Sequence, residues 1–456
     1  MIRRVAIIGG GAAAATLLSE LIEQPCRHQL HLDWYQGVGQ SGRGIAYGTL
    51  SERHLLNVRA ASMGMFAGKP RGFLDFAQRL DPSVHGADFL PRRLYGDYLA
   101  DEVAHALRQA EENDQDVRVT TREVNALVPE TDGVTVICGE DSRRVDVAVL
   151  AVGAMPPQAL PGVDPALLDD GRYVVDPWPF LAAVRPNPAP AEIALIGTGL
   201  TAVDVLLELS AQWPNARFTA FSRHGLLPEA HLAQASAPDD DSGELVQQLS
   251  DAPDVRAWVR LLREAIARAE DWRTITDALR PHSPALWRAL PPAERARFLR
   301  HARWAWERVR HRMPAQVAAQ VAALEAQGRL RRRRGRMASA QADGARVRLA
   351  LRLPHGDDGG DLQVDRVIQT VGLNTDLRHT THPLMRQLVT NGHVSPDPLG
   401  LGCTAMPDGR LCRNGKPWPN LFAMGSLLRG TLWETTAMPE IRAQARRLAE
   451  RLNSAE

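Results

Sequence analysis

Twice along the chain, a short unbroken run of aliphatic residues ends in glycines and passes directly into an apolar helical pattern. The first instance is VAIIGGGAAAATLLSEL (5–21) and the second is AEIALIGTGLTAVDVLLEL (191–209). Unbroken runs of this kind predict strands buried on both faces, and the 3.6-residue pattern after each predicts a helix packed on its own strand. The likeness extends further. After the first unit come a polar strand (DVRVTTREV), a meander (GVTVICGEDSRRVD) and a closing strand, VAVLAVG, ending at Gly153. After the second come GRLRRRRGRM, a meander that includes ARVRLALRLP, and RVIQTVG, ending at Gly372. Val-Asp precedes both closing strands, at Asp146 and Asp365. One architectural plan used twice is the simplest reading.

Between about 230 and 325 the pattern is almost wholly helical and rich in Trp and Arg, with no counterpart in the first unit. It reads as a helical insertion, either covering a substrate or forming a packing layer. Trp304 and Trp306 cannot share one helix face, so at least one is expected at a contact or partly exposed. The tail, NLFAMGSLLRGTLWETTAMPEIR, predicts a strand ending at Gly425, a loop, and a helix starting near Thr435 or Thr436, with Glu434 and the threonines as caps. The expected architecture is α/β: two Rossmann-like dinucleotide-binding domains, over 1–180 and 181–370, with 371–456 returning to the first.

A net charge of +1 over 456 residues excludes a nucleic-acid-binding surface as the main business. The Arg331–Arg334 run falls where the repeat predicts a solvated strand. Cys26, Cys138, Cys403 and Cys412 form no C-x-x-C pair, which removes a redox dithiol and suits reduced thiols in the cytoplasm. No apolar stretch is long enough to span a bilayer. The basic, apolar N-terminus is similar to a secretory leader, but its glycines fall at fingerprint positions and the helical pattern continues past them.

The glycines carry the chemistry. Gly9, Gly11 and Ala14, and again Gly197, Gly199 and Ala202, have G-x-G-x-x-A spacing. The first glycine permits the tight turn, the second lets backbone approach a pyrophosphate, and the third small residue lets helix and strand pack closely. Two such units point to FAD and a nicotinamide cofactor. The strand after the second turn ends in Ser222-Arg223, where NAD-selective sites carry an acid that repels a 2′-phosphate. NADPH is therefore the expected hydride donor. No catalytic triad or metal cluster stands out.

Segments across nearly the whole chain resemble the bacterial FAD-NAD(P)-binding family, distantly similar to flavin-containing monooxygenases and lysine and ornithine N-hydroxylases. They include GRGIAYGT, HLLNVRAASM, FLPRRLYGDYL, FSRHGLLPEAH, QTVGLNTD and, most specific, GSLLRGTLWETTAMPEIR. The resemblance implies a two-domain flavoprotein with FAD on Gly9, Gly11 and Ala14, and with Asn57 and Met63 near the flavin. Arg43 would neutralise phosphate or pair with a carboxylate. Gly153, Gly425, Thr435 and Thr436 line the same cofactor, and Arg92 and Tyr98 are candidates for the cleft. Gln36 stands where the ribose-holding acid is expected, Asp33 being too early in its strand, and Ser426 replaces the aspartate common after such a glycine. His54 and His231 are read as surface or core residues.

The function expected is an NADPH-dependent FAD monooxygenase, hydroxylating a small molecule with O₂ through a C4a-hydroperoxyflavin. The alternatives are a flavin reductase serving a protein partner or quinone, and a non-enzymatic flavoprotein sensor. The F-x-G-x-x-x-H fingerprint of Baeyer–Villiger enzymes and flavin-containing monooxygenases is missing.

Overall fold

Each glycine turn sits at the carboxyl edge of its own parallel sheet. The computed structural model of the chain describes residues 3–24, 30–39, 42–232, 242–353 and 358–454. Cys26 and residues 233–241 of the insertion lie outside them.

The first sheet has six strands, in the order Arg410–Arg413, Lys416–Ala423, Val147–Leu150, Arg3–Ile8, Leu30–Tyr35 and Val117–Thr120. All pairings are parallel except the edge hairpin Arg410–Arg413. Val5, Ala6 and Ile7 are fully buried, as an unbroken apolar run demands of a central strand. Helices Ala12–Glu23, Arg92–Glu112 and Met438–Ser454 cover one face. The meander Ala126–Val145 and helix Pro383–Thr390 cover the other. The tail strand pairs with Val147–Leu150, so the end of the chain completes the first unit.

The second sheet has five parallel strands: Leu330–Arg334, Ala216–Ser222, Ala191–Ile196, Arg366–Gln369 and Tyr173–Val174. Helices Leu200–Gln212 and Ala315–Ala326 pack on one face, and the meander Arg336–Val364 on the other. The arginine run is thus a solvated edge strand. Asp146 and Asp365 explain their repetition: each carboxylate accepts the N–H at the head of the central strand, Arg4 in one unit and Glu192 in the other, at 2.7 Å.

The insertion folds as successive short helices from Ser242–Asp251 to Arg303–Arg310. It has its own small core of Leu245, Leu249, Ile275, Leu279 and Leu286. A second cluster, Trp287, Leu290, Leu401 and Trp433, joins it to the tail. No described helix is long and apolar enough to cross a membrane.

One expectation is corrected here. The last helix begins at Met438, not at Thr435 or Thr436. Trp433 takes a left-handed conformation (φ 61°) and stacks on Trp287 at 4.8 Å. That contact turns the chain, and Glu434 caps nothing because its carboxylate is committed to Trp306 and Arg310.

Candidate functional site

The first turn is built for close approach. Gly9 has φ 133° and its N–H donates to Tyr35 O at 2.8 Å; a Cβ there would lie 2.3 Å from Ala151 O. Gly11 is the N-cap of helix Ala12–Glu23, which presents its free N–H groups at the turn, while Ala14 is buried beneath. The GRG loop folds back over this turn. Gly42 N–H donates to Gly10 O at 3.0 Å, and a Cβ on Gly44 (φ 54°) would sit 3.0 Å from Gly11 Cα. Arg43 is turned away to Asp97, at 2.8 Å. Gly153 (φ 75°) ends the neighbouring strand with no atom near its open side, and Gly425 (φ 69°) lies beside Ala13. The cradle that side chains would fill, beside a free helix N-terminus, fits a dinucleotide pyrophosphate.

At the end of the second strand the carboxylate absent from position 36 arrives from elsewhere. Gln36 N–H donates to Thr120 O, tying the strand to its neighbour. The loop after that neighbour brings Glu123 over Gly37, where its Oε1 accepts from Val38 N–H at 3.3 Å. Glu123 can hold ribose hydroxyls from there, a role the sequence did not reveal because the residue belongs to another strand. Asp33 is buried against Arg143 at 3.1 Å, and burial pushes its carboxyl up. It lies in mid-strand, in register with Ala6.

The second turn repeats the first. Gly197 (φ 121°) leaves 2.4 Å between a Cβ and Thr370 O, Gly199 is the N-cap of helix Leu200–Gln212, and Ala202 is buried. The following loop ties to it through Thr198 Oγ1, which donates to Leu226 O at 2.6 Å, but among the described residues a methyl group on Gly199 would meet nothing within 4 Å. Ser222 Oγ bonds Thr198 Oγ1 at 2.8 Å and accepts from Gly225 N–H at 3.0 Å, so its hydroxyl shapes the turn. Cationic groups gather beside it. Burial and the charges of Arg336 and Arg303 press the Arg223 pKa down, and Arg334 Nε donates to Arg223 O at 3.4 Å. His224, its pKa lowered by burial and by Arg223, stacks on Trp304 at 4.1 Å.

Between the units, Arg92 pairs with buried Asp204 at 2.8 Å and donates to Leu55 O. Ser51 and Arg53 both reach Glu208 on the same helix. His54 is buried on Thr49 at 2.7 Å, and Tyr98 packs among Phe73, Phe76 and Tyr95 with its hydroxyl accepting from Met65 N–H. Both are core residues. Met63 is buried in the first unit's core. Asn57 presents its carbonyl to His231 Nε2 at 3.1 Å, linking HLLNVRAASM to the insertion. Thr435 Oγ1 and Ser426 Oγ are buried without a hydrogen-bond partner, whereas Thr436 is exposed.

A surface cleft of about 580 Å³, lined by Glu192, Arg217 and Asp365, opens at the amino ends of the second sheet. Ligands of open parallel sheets bind at the carboxyl ends.

Comparison with known proteins agrees with this fold. Residues 6–155 match the FAD-NAD(P)-binding family. The uncharacterized protein YdhS of Escherichia coli K12 is 23% identical over 263 residues, 50% of this chain and 47% of its own, so the match spans about half of that relative. Among solved structures, the reduced ornithine hydroxylase PvdA of Pseudomonas aeruginosa superposes with a TM-score of 0.64 at 18% identity, covering 99% of each chain. The Kutzneria sp. 744 ornithine N-hydroxylase KtzI, solved with reduced FAD, NADP⁺ and L-ornithine, gives 0.64 at 15% identity over 100% of both. Identities this low speak for the fold alone. Residues 6–155 are an FAD-NAD(P)-binding domain, set in a chain with the fold of two-dinucleotide-domain flavoproteins.

Proposed function

We propose that the protein is an NADPH-dependent FAD monooxygenase acting on a small molecule. The observation that carries this is the pairing of two dinucleotide turns in one chain, the first with the Gly42–Gly44 loop packed against Gly10 and Gly11 and the second with open space at Gly199. A cofactor that stays and one that comes and goes need that difference. Bound FAD supplies hydride acceptance and, once reduced, reaction with O₂.

The chain's part is binding, orientation and exclusion of water. The Gly9–Gly11 turn and the N-terminus of helix Ala12–Glu23 hold the FAD pyrophosphate, and Glu123 holds its ribose. The Gly197–Gly199 turn holds that of NADPH. Arg223, with Arg334 and Arg336 beside it, takes the 2′-phosphate, which guanidinium groups bind in a fork. The insertion and the tail pack against each other through Trp287 and Trp433, keeping bulk water from the space between the units. KtzI, solved with FAD, NADP⁺ and L-ornithine on the same fold, supports this assignment of cofactors and a small-molecule substrate.

The test is anaerobic addition of NADPH to the FAD-loaded protein, followed by absorbance near about 450 nm, a property of the flavin itself. Bleaching with NADPH, and slower bleaching with NADH, is the expected result. Admission of air then separates the readings. Monooxygenation requires a stoichiometric oxygenated product from a substrate, whereas a reductase passes its electrons to a quinone or protein acceptor. Absence of bleaching with FAD bound, with or without candidate substrates, would overturn the proposal.

A further inference from the structure

Where the insertion meets the tail, the chain buries more positive charge than it neutralises. Helix Arg303–Arg310 ends at His311, and the next residues run extended, Met313 pairing with Glu229 and His231 through backbone hydrogen bonds of 2.7 and 2.8 Å. Arg310 is 6% exposed and Arg312 is 3% exposed. Around them five guanidinium groups share four carboxylates. Arg280 and Arg310 share Glu440, Arg310 also faces Glu434, Arg312 pairs with Asp277, and Arg303 and Arg429 share Glu307.

The sharing is incomplete. Arg310 lies 3.6 Å from Glu434 and 3.8 Å from Glu440, beyond hydrogen-bond reach, and its Nε and Nη2 have no hydrogen-bond partner. Arg312 Nε is also buried without one. An unsatisfied buried N–H is costly, and more so on a charged group. Arg310 and Arg312 both face His231, and Asp277, the partner of Arg312, also acts on Arg310, so their spare N–H donors belong to one cluster that can receive a planar anion.

Position separates Arg310 and Arg312 from the nucleotide grips, although Arg303 and Glu307 of the cluster reach toward Arg223. The tail runs from Gly425, beside Ala13 at the first turn, to Glu434 beside Arg310. The pyrophosphate grips are the two glycine turns, and the 2′-phosphate cations are those around Arg223. Neither needs Arg310 or Arg312. Across from the cluster stands His231, bonded to the Asn57 carbonyl of the first unit.

We propose that Arg310 and Arg312 bind a carboxylate of the substrate, so that the molecule acted on is a small acid rather than a neutral or purely cationic compound. This rests on the monooxygenase reading for the word substrate; the anion site itself is a claim about binding. The two arginines fix one end of the molecule, with Glu434 and Glu440 facing Arg310 and Asp277 holding Arg312.

The FAD-loaded protein is titrated with dicarboxylates from oxalate to adipate, with the matching diamides and diamines, and with inorganic phosphate. Binding is read from the flavin difference spectrum and from tryptophan fluorescence. Trp306 donates to Glu434 at 3.1 Å and the Trp272 ring lies 5.9 Å from the Arg312 guanidinium, so both report on the cluster. At least one dicarboxylate is expected to bind at least about tenfold more tightly than its diamide. Arg310→Lys and Arg312→Lys should each weaken that binding by about tenfold, since an ammonium cannot offer the fork, with FAD content unchanged. If either variant loses FAD or unfolds, the wild-type ranking of acid over diamide still decides.

The proposal fails if no dicarboxylate binds, if diamides or diamines bind as well, or if phosphate alone binds. It fails equally if the lysine variants weaken FAD while leaving carboxylate binding intact, because the cluster then serves the flavin. Dicarboxylate binding without NADPH bleaching would leave this site standing and remove the monooxygenase reading instead.

Discussion

At the first glycine turn Gly42 and Gly44 lie back across Gly10 and Gly11, whereas the second turn, with the same spacing and the same positive-φ leading glycine, has nothing over Gly199. The strand ends differ as well. In the first unit a carboxylate, Glu123, stands over Gly37; in the second, Arg223 stands amid Arg334 and Arg336. One backbone plan therefore carries two opposite finishes, closed and acidic against open and basic. On the proposed function, retention and selectivity would be set by what is laid over the plan. The turns, which are the most legible part of the sequence, are common to both.

The joint between the units is the first place to break this arrangement. Arg92→Ala leaves Asp204 buried on the second unit's turn helix without its partner. Stranding one member of a buried pair costs about 3–5 kcal/mol, read as a lower urea midpoint. Both units should suffer, because Arg92 also donates to Leu55 O in the first. An unchanged midpoint would mean that the units are not held together by this pair.

Next in size is the second unit's selectivity. Arg223→Ala should raise KM for NADPH by about 10- to 100-fold, the worth of about 1.4–2.7 kcal/mol in charge-assisted contacts, and leave KM for NADH within about twofold. Parallel losses for both nucleotides would move the 2′-phosphate away from Arg223.

A direct comparison of the turns sharpens the contrast. Gly44→Ala forces a methyl group to 3.0 Å from Gly11 Cα at φ 54°, so the loop must lift. The left-handed conformation alone costs about 1–2 kcal/mol, and FAD should dissociate about tenfold more readily on that account. Gly199→Ala has open space and an ordinary φ, so the melting temperature and FAD content should not change. Only NADPH affinity should fall, because the methyl group stands where the pyrophosphate must approach. Fluorescence of released flavin and nucleotide titration distinguish the two. Equal FAD loss in both variants would erase the closed–open distinction.

The sequence was most readable where chemistry depends on local backbone. Both turns, both meanders and the paired Asp146 and Asp365 follow from residues within one element or its neighbour. It was least readable where the site is assembled from distant parts. Glu123 reaches its position only because strands Leu30–Tyr35 and Val117–Thr120 are adjacent in the sheet, and no spacing encodes that. Glu434 looks like a helix cap in the linear pattern, yet the insertion brings Trp306 and Arg310 against it, and the helix starts later. Arg43 suits either a phosphate or a carboxylate in the linear pattern, and helix Arg92–Glu112 decides between them by placing Asp97 beside it. His231 offered no signal at all, being a lone histidine that becomes part of the joint through Asn57.

That histidine gives the smallest and most specific test of the joint. Burial, with the charge of Arg312 next in weight and those of Arg59 and Arg310 adding to it, pushes the His231 pKa down to about 3. In the unfolded chain its pKa returns to about 6.5. As pH falls below about 6.5, the unfolded chain takes up a proton that the folded one refuses, so stability is lost progressively down to about 3. The opposing groups do not relieve this: Arg312, Arg59 and Arg310 all present like charge to the ring, and the Asn57 carbonyl accepts from a ring N–H. At pH 5 the loss from this one group amounts to about 1–2 kcal/mol. His231→Gln keeps an N–H donor for Asn57 but cannot titrate, so urea unfolding from pH 7.5 to 5 should show the variant gaining on the wild type by that amount. Curves that stay parallel would mean that His231 titrates freely, and that the contact between the units at Asn57 is open in solution.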